Sequence, residues 1–540
     1  MENQKTRKPE FITNYYTDDD YEDVMEKLPL IIKEAEKRAG EFLEPTIYEK
    51  RKVMEDIKDF IRKKHRKVYG GTALNETIKL ENPEDAIYDE HHFGDIEFYS
   101  PTPVPDLVEL CNMLYEKGYK YVQGAEAQHE ETYKIFVNFE VYCDISYVPV
   151  RVYNGIRTIP IDGIEYAHPH FMLIDYLRMI NQPLTAASQR WMKAFERMYK
   201  LLKNYPFEKY DKPLKLPKPT EEMQSYLAII KKEFMAIPEV QQSCMISGFE
   251  AYNFFIRHAM NDRTVEQQAR TTYGENRLKE YLTNVPNLEF ISVNYRDTVE
   301  RLYNFIRKIV KDDSLVTINE YFPLYQFTDY SVSINYNGVP LAIVYRADGF
   351  CVPNIKTTAK YMYVSYQYLI MTFLIHKFRA HLDKNQKMYF NYGIAVSNLI
   401  NVRNIYLTHK NLGVINDTVF GEFKIQCTGT TVSYFREGQI RNLKRRETGK
   451  TMFRYTPEIF LKKTEEEQSK FDPTKHLFKN TSGNKIMNPK NLLFGLDSEG
   501  NIKSDTVSET DYQSSSDSDE SDTVINETGG GNEMPENRNI

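Results

Sequence analysis

Tyr69-Gly70-Gly71-Thr72-Ala73-Leu74-Asn75 opens, and Phe93-Gly94-Asp95-Ile96-Glu97-Phe98 closes, the stretch on which the fold of this chain turns. Side chains alternate faces along a β-strand, so Asp95 and Glu97 share one face there while Ile96 and Phe98 enter the core. Two carboxylates side by side repel, and divalent ions held between them relieve the repulsion. The glycine pair lets backbone N–H groups approach a phosphate where a helix begins. Either half is common alone, since Asp-x-Glu triplets and Gly-Gly turns arise by chance. A third acid strengthens the pattern. Asp144 lies in the β-prone run 135–150, between Cys143 and Ile145, where a lone carboxylate is costly unless paired or metal-bound. Three carboxylates on two neighbouring strands behind a glycine turn suffice for two-metal transfer from a nucleoside triphosphate.

A glycine pair, an Asp-x-Glu and a later strand Asp resemble the nucleotidyltransferase superfamily that includes DNA polymerase beta and the poly(A) polymerases. The wording of 69–75, followed by Asp95-Ile96-Glu97-Phe98-Tyr99-Ser100, is similar more narrowly to the viral poly(A) polymerase catalytic subunits of large DNA viruses, of the poxvirus and mimivirus-like kind. That resemblance implies an α/β (α+β) fold, a mixed-sheet catalytic domain followed by a degenerate second copy. It also implies transfer of AMP from ATP to an RNA 3′ end, with release of pyrophosphate. In such a site Asp95 and Glu97 bind two Mg²⁺ or Mn²⁺ ions. Asp144 binds the ion that activates the 3′-hydroxyl and is placed to accept its proton. Gly70, Gly71 and Thr72 position the β- and γ-phosphates, and Asn75 orders the turn. Two departures stand out. Between Gly71 and Asp95 lie 23 residues, about twice the family spacing, so 76–92, with His91 and His92, are expected to loop out. The second carboxylate is Glu, which the family uses less often.

At 540 residues the chain predicts two to four domains. The expected division is an N-terminal helical segment (1–45), a catalytic domain (46–204), a linker and helix (205–235), a degenerate domain (236–420), a basic region (421–502) and a disordered acidic tail (503–540). The net charge of −7 includes −9 from 504–540 (ten acids, one Arg), which leaves +2 for 1–503. A mildly basic folded part is compatible with nucleic acid. Two clusters are candidate RNA contacts: Lys63, Lys64 and Arg66 beside the glycine turn, and Lys444, Arg445 and Arg446 (with Lys450) farther on. Both also read as solvated surface. Tyr361, Tyr363, Tyr366 and Tyr368 suit base stacking, or core packing. Five cysteines without a Cys-x-x-Cys pair predict a reducing compartment and no zinc site. No apolar run approaches eighteen residues, so an intracellular, soluble protein without a membrane span is expected. Host cytoplasm or virion is implied by the resemblance alone.

Past the proline-rich segment 205–219 the sequence echoes itself in order. Ser247-Gly248-Phe249-Glu250-Ala251-Tyr252-Asn253 follows 70–75, and Asn287-Leu288-Glu289-Phe290-Ile291-Ser292 follows 95–100. Asp297 stands for Asp106, the expected N-cap of a helix over 106–117. Ile334-Asn335-Tyr336 and 341–345 follow 137–139 and 143–147. Read by letters, Asn287 replaces Asp95 and Ala342 replaces Asp144, so Glu289 alone survives and this copy cannot hold two ions. It would serve as architecture or as a homodimer face, the alternative partner being a processivity subunit. Two other functions fit the same residues: a tRNA-end-adding or oligoadenylate-type transferase, and a non-catalytic RNA-binding scaffold.

Overall fold

The computed structural model describes residues 15–89, 94–128, 131–210, 212–262, 277–447, 449 and 452–473. The expectations for the acidic tail, for His91 and His92 and for Lys450 lie outside those residues. In chain order the strands are β1 (Lys67–Tyr69), β2 (Ile96–Ser100), β3 (Gln123–Glu126), β4 (Thr132–Val137), β5 (Glu140–Tyr147), β6 (Thr158–Ile161) and β7 (Ile164–Ala167). There follow β8 (Cys244–Ser247), β9 (Leu288–Ser292), β10 (Val316–Tyr321), β11 (Ser331–Tyr336), β12 (Val339–Arg346), β13 (Val352–Lys356), β14 (Met362–Val364), β15 (Cys427–Thr428) and β16 (Arg454–Tyr455). They form two mixed sheets, β16-β3-β4-β5-β2-β1-β7-β6 and β10-β11-β12-β9-β8-β14-β13-β15. From β3 to β6 the first order matches the second strand for strand, parallel and antiparallel pairs included. Two α/β units of the same strand order therefore follow one another, as the expected domain and its copy would.

Local sequence explains the elements that carry the site. Helix Ile47–Lys64 starts in a capping box, Thr46 with Glu49, and ends on left-handed His65 at φ 51°. Its buried stripe is Val53, Met54, Ile57, Phe60 and Ile61, at helical spacing. In β2, Ile96 and Phe98 are fully buried, as alternation predicts. The next helix, Pro103–Glu116, begins three residues before Asp106 because proline suits the first turn, where its missing N–H costs nothing. Asp106 is therefore no N-cap. It lies buried inside the first turn, bonded to Ser100 Oγ at 2.5 Å and to both arms of Arg66.

Strand pairing corrects the letter-by-letter echo. Tyr69 pairs Glu97 and Ser247 pairs Glu289, so Asn287 does stand for Asp95. On β5, however, Asp144 faces Glu97, whereas Glu289 faces Ile343. Ile343, not Ala342, replaces the third carboxylate. Both β4–β5 and β11–β12 carry a register shift at the same place and a two-residue turn, Asn138-Phe139 and Asn337-Gly338, with positive φ. Matching by these turns puts Val137 opposite Tyr336 rather than Ile334. The Ser100–Asp106 bond recurs as Ser292–Thr298, one residue on from Asp297.

Other expectations also change. Helix Asp18–Phe42 forms with helical periodicity but buries no residue, and Leu30, Ile31 and Ile32 are exposed. Within the region expected at 421–502, β15 joins the second sheet and β16 the first. Cys351, just before β13, and Cys427 of β15, 76 residues apart, form a disulfide, a pairing that the spacing of the cysteines does not reveal. Tyr363 stacks on Phe254 and Tyr366 is buried, which assigns both to packing. The two domains share one continuous core, with Tyr99 and Phe171 of the first against Tyr325, Phe327 and Phe378 of the second.

Candidate active site

Helix Gly70–Glu81 springs directly from β1, and the turn between them is possible only for glycine. Gly70 has φ +72°, and a Cβ there would fall inside the Glu97 carboxylate. Glu97 in turn accepts the Gly71 N–H through Oε2 at 2.9 Å, so it braces the turn and faces the cleft at once. Thr72 Oγ1 donates to the Asp95 carbonyl at 2.9 Å, tying the helix to the start of β2. Asp95 is exposed, and Glu97 and Asp144 are half-buried on adjacent parallel strands, paired in register. The structure thus brings the three expected carboxylates together with Gly70, Gly71 and Thr72.

Electrostatics carries the same message. Burial, with the Asp95 and Asp144 charges adding to it, pushes the Glu97 carboxyl up to about 7 against the opposing Gly71 hydrogen bond. Asp144 is bonded through both oxygens to Lys134, at 2.8 Å each. As they stand, no three His, Cys, Asp or Glu side chains among the described residues close round a common ion. The donor set nonetheless fits divalent cations: hard carboxylate oxygens, mutually destabilised, with the third held by a lysine that a cation can replace.

The long insert does not loop out. Asn75, itself buried, turns away from the glycine turn and accepts the Ile87 and Tyr88 N–H groups at 2.8 and 3.0 Å. Asp85 pairs with Lys203, and the Ala86 carbonyl accepts from Lys200, both on helix Trp191–Asn204. Folded back in this way, the insert lays Tyr88 over Gly71 and Gly94. The guanidinium of Arg197 bonds the Tyr88 hydroxyl at 2.9 Å and also bonds Tyr176. Neither Tyr88 nor Arg197 belongs to a short motif, so sequence reading missed both. Helical spacing of Arg197, Lys200 and Lys203 was the one available signal.

The basic candidates divide. Arg66 is bidentate to buried Asp106 (2.6 and 2.9 Å), and Arg445 is bidentate to Glu126 (2.9 and 2.6 Å), so both hold the fold. Lys64 pairs with Glu109. Lys63, Lys444 and Arg446 are exposed. His168 caps its helix by accepting from the His170 N–H, and His170 meets the Tyr205 carbonyl.

In the second copy Gly248 (φ +60°) still sits against Glu289. Phe249 replaces Gly71 and packs on Phe373 and Tyr392, while Glu289 is buried 3.4 Å from His376. At this turn a buried phenyl ring stands in the place of Gly71.

Comparisons with known proteins identify the family. Residues 55–186 match the family "Poly(A) polymerase catalytic subunit", and 221–496 match "APMV, Putative poly(A) polymerase, catalytic subunit, C-terminal". The "Putative poly(A) polymerase catalytic subunit" of Acanthamoeba polyphaga mimivirus is 58% identical over 522 residues, 94% of this chain and 89% of the relative. The African swine fever virus (strain Badajoz 1971 Vero-adapted) protein of the same description is 31% identical over 158 residues, 28% of this chain and 33% of its own. The crystal structure of the Megavirus polyadenylate synthase superposes with a TM-score of 0.86 at 63% identity, covering 92% of this chain and 98% of that one. The chain therefore belongs to the viral poly(A) polymerase catalytic subunits, which are polynucleotide adenylyltransferases.

Proposed function

We propose that this chain extends RNA 3′ ends with AMP from ATP at the first copy's carboxylates, using two divalent ions, Mg²⁺ or Mn²⁺. The observation that carries the reading is Glu97, in register with Asp144 on one side and bonded to the glycine turn on the other. Asp95 and Glu97 would hold both ions, and Asp144 the ion on the acceptor side. Bound there, the ions neutralise triphosphate charge and lower the pKa of the attacking hydroxyl. The chain itself supplies the Gly70-Gly71 turn for the β- and γ-phosphates and a carboxylate, Asp144, within reach of the acceptor proton. Lys134 would leave Asp144 when an ion arrives.

Exposed Lys63, Lys444 and Arg446 remain the RNA-backbone candidates. The exposed apolar residues of helix Asp18–Phe42 favour a protein partner, a second chain or a processivity subunit, and move that contact away from the degenerate domain. No helix among the described residues is long and apolar enough to cross a membrane. We place the enzyme in the host cytoplasm or the virion, by kinship with its viral relatives.

Primer extension tests the proposal, with a labelled RNA, each nucleoside triphosphate in turn and Mg²⁺ or Mn²⁺. An ATP-dependent ladder is expected from wild type and Asn287→Ala, and none from Asp95→Ala or Asp144→Ala. A ladder that survives both aspartate substitutions would refute the assigned site.

A further inference from the structure

The Tyr88–Arg197 pair packs against the glycine turn. Both Arg197 Nη atoms lie 3.2 Å from the point where a Cβ on Gly71 would stand, and the Tyr88 hydroxyl lies 2.5 Å from the same point on Gly94. The two glycines therefore make room for these two side chains and for whatever else lies against the turn. Arg197 is partly withdrawn from water, and its hydrogen-bond partners are the phenols of Tyr88 and Tyr176. Among the described residues no carboxylate lies within ion-pair distance of it, although its neighbours on the same helix, Lys200 and Lys203, have Glu196 and Asp85. A guanidinium partly withdrawn from water, hydrogen-bonded to neutral hydroxyls and with the Glu97 charge nearby but unpaired with it, keeps donor capacity for a visiting anion. The guanidinium fork suits phosphate oxygens, and the N-terminus of helix Gly70–Glu81 lies beside it.

We propose that Arg197 binds the non-transferred phosphates of the incoming ATP, and that the Tyr88 hydroxyl keeps its place until the nucleotide displaces it. The inference rests on the nucleotidyl-transfer reading above and assigns its triphosphate contact. Tyr88 is then a placeholder that holds Arg197 in a binding geometry before the nucleotide arrives. The folded-back insert is what sets it there, through Asn75 and Lys200.

The test compares wild type, Arg197→Ala, Arg197→Lys and Tyr88→Phe as full-length proteins. Equilibrium binding of ATP, inorganic tripolyphosphate and adenosine is measured with a divalent ion and without RNA, beside primer-extension kinetics. Losing a charge-assisted contact should weaken ATP and tripolyphosphate by about 10- to 100-fold in Arg197→Ala and raise KM for ATP, with adenosine unchanged. Arg197→Lys should recover part of the loss. Tyr88→Phe should bind ATP at least as tightly as wild type, since its hydroxyl no longer competes. Equal losses for adenosine and tripolyphosphate, or a Lys variant as poor as Ala with a lowered Tm, would mark Arg197 as merely structural and overturn the proposal. Wild-type affinity in Arg197→Ala would overturn it as well. If wild type extends no primer with any nucleotide, the functional reading falls. If wild type extends and Arg197→Ala keeps its KM, only the arginine assignment falls.

Discussion

Glu97 does two jobs that pull in opposite directions. It anchors the glycine turn through Gly71, which favours its charge, and it lies half-buried beside two other carboxylates, which does not. Its folded value of about 7 exceeds the ordinary 4.5, so the folded state binds the proton more tightly than the unfolded one. Stability of the metal-free protein therefore falls as pH rises from about 4.5 to about 7, and the full cost is present above that. Metal-stripped Glu97→Gln should melt higher than wild type near pH 8, and the two should converge near pH 4. Equal melting temperatures at pH 8 would mean the carboxylate is not strained, and adding Mn²⁺ should raise wild type alone. Glu289, the acid the second copy retains, likewise packs under left-handed Gly248, while Asn287 and Ile343 stand in the places of Asp95 and Asp144.

At the scale of elements, the insert 82–89 is a clamp built on one side chain. Replacing Asn75 by Ala removes the acceptor for two backbone N–H groups and should cost about 1–3 kcal/mol, measured by chemical denaturation. It should also speed proteolysis between Glu81 and Asp89; unchanged cleavage would show that Lys200 and Lys203 suffice. This element separates what was legible in the sequence from what was not. Periodicity and caps located helix Ile47–Lys64, strand β2 and the acid on β5, because apolar spacing records which face is buried. Spacing is silent about partners, so the insert was read as a loop, and Arg197, more than a hundred residues from Tyr88, went unseen. Registers failed for a related reason. Letter similarity placed Ala342 against Asp144, but register is set by the two-residue turn and the bulge beside it, which letters do not show. Likewise, the apolar stripe of helix Asp18–Phe42 gave its period and not its exposure.

The whole molecule behaves as one core. Phe171 meets Phe327 and Phe378 across the domain boundary, Tyr99 meets Tyr325, and Arg151 pairs with Asp383. Phe171→Ala should cost about 3–5 kcal/mol, and a fragment of residues 46–204 should be insoluble or unfolded by circular dichroism. A fragment that folds and extends primers would show that the second copy is dispensable. The matched bulges and hairpin turns of the two sheets have a diagnostic meaning as well. The second strand pair has the same kink and the same Gly-Glu contact where two of the three acids are replaced, so the shape of the backbone does not depend on those acids. Backbone irregularities, rather than catalytic letters, are therefore the markers by which further copies of this unit could be traced.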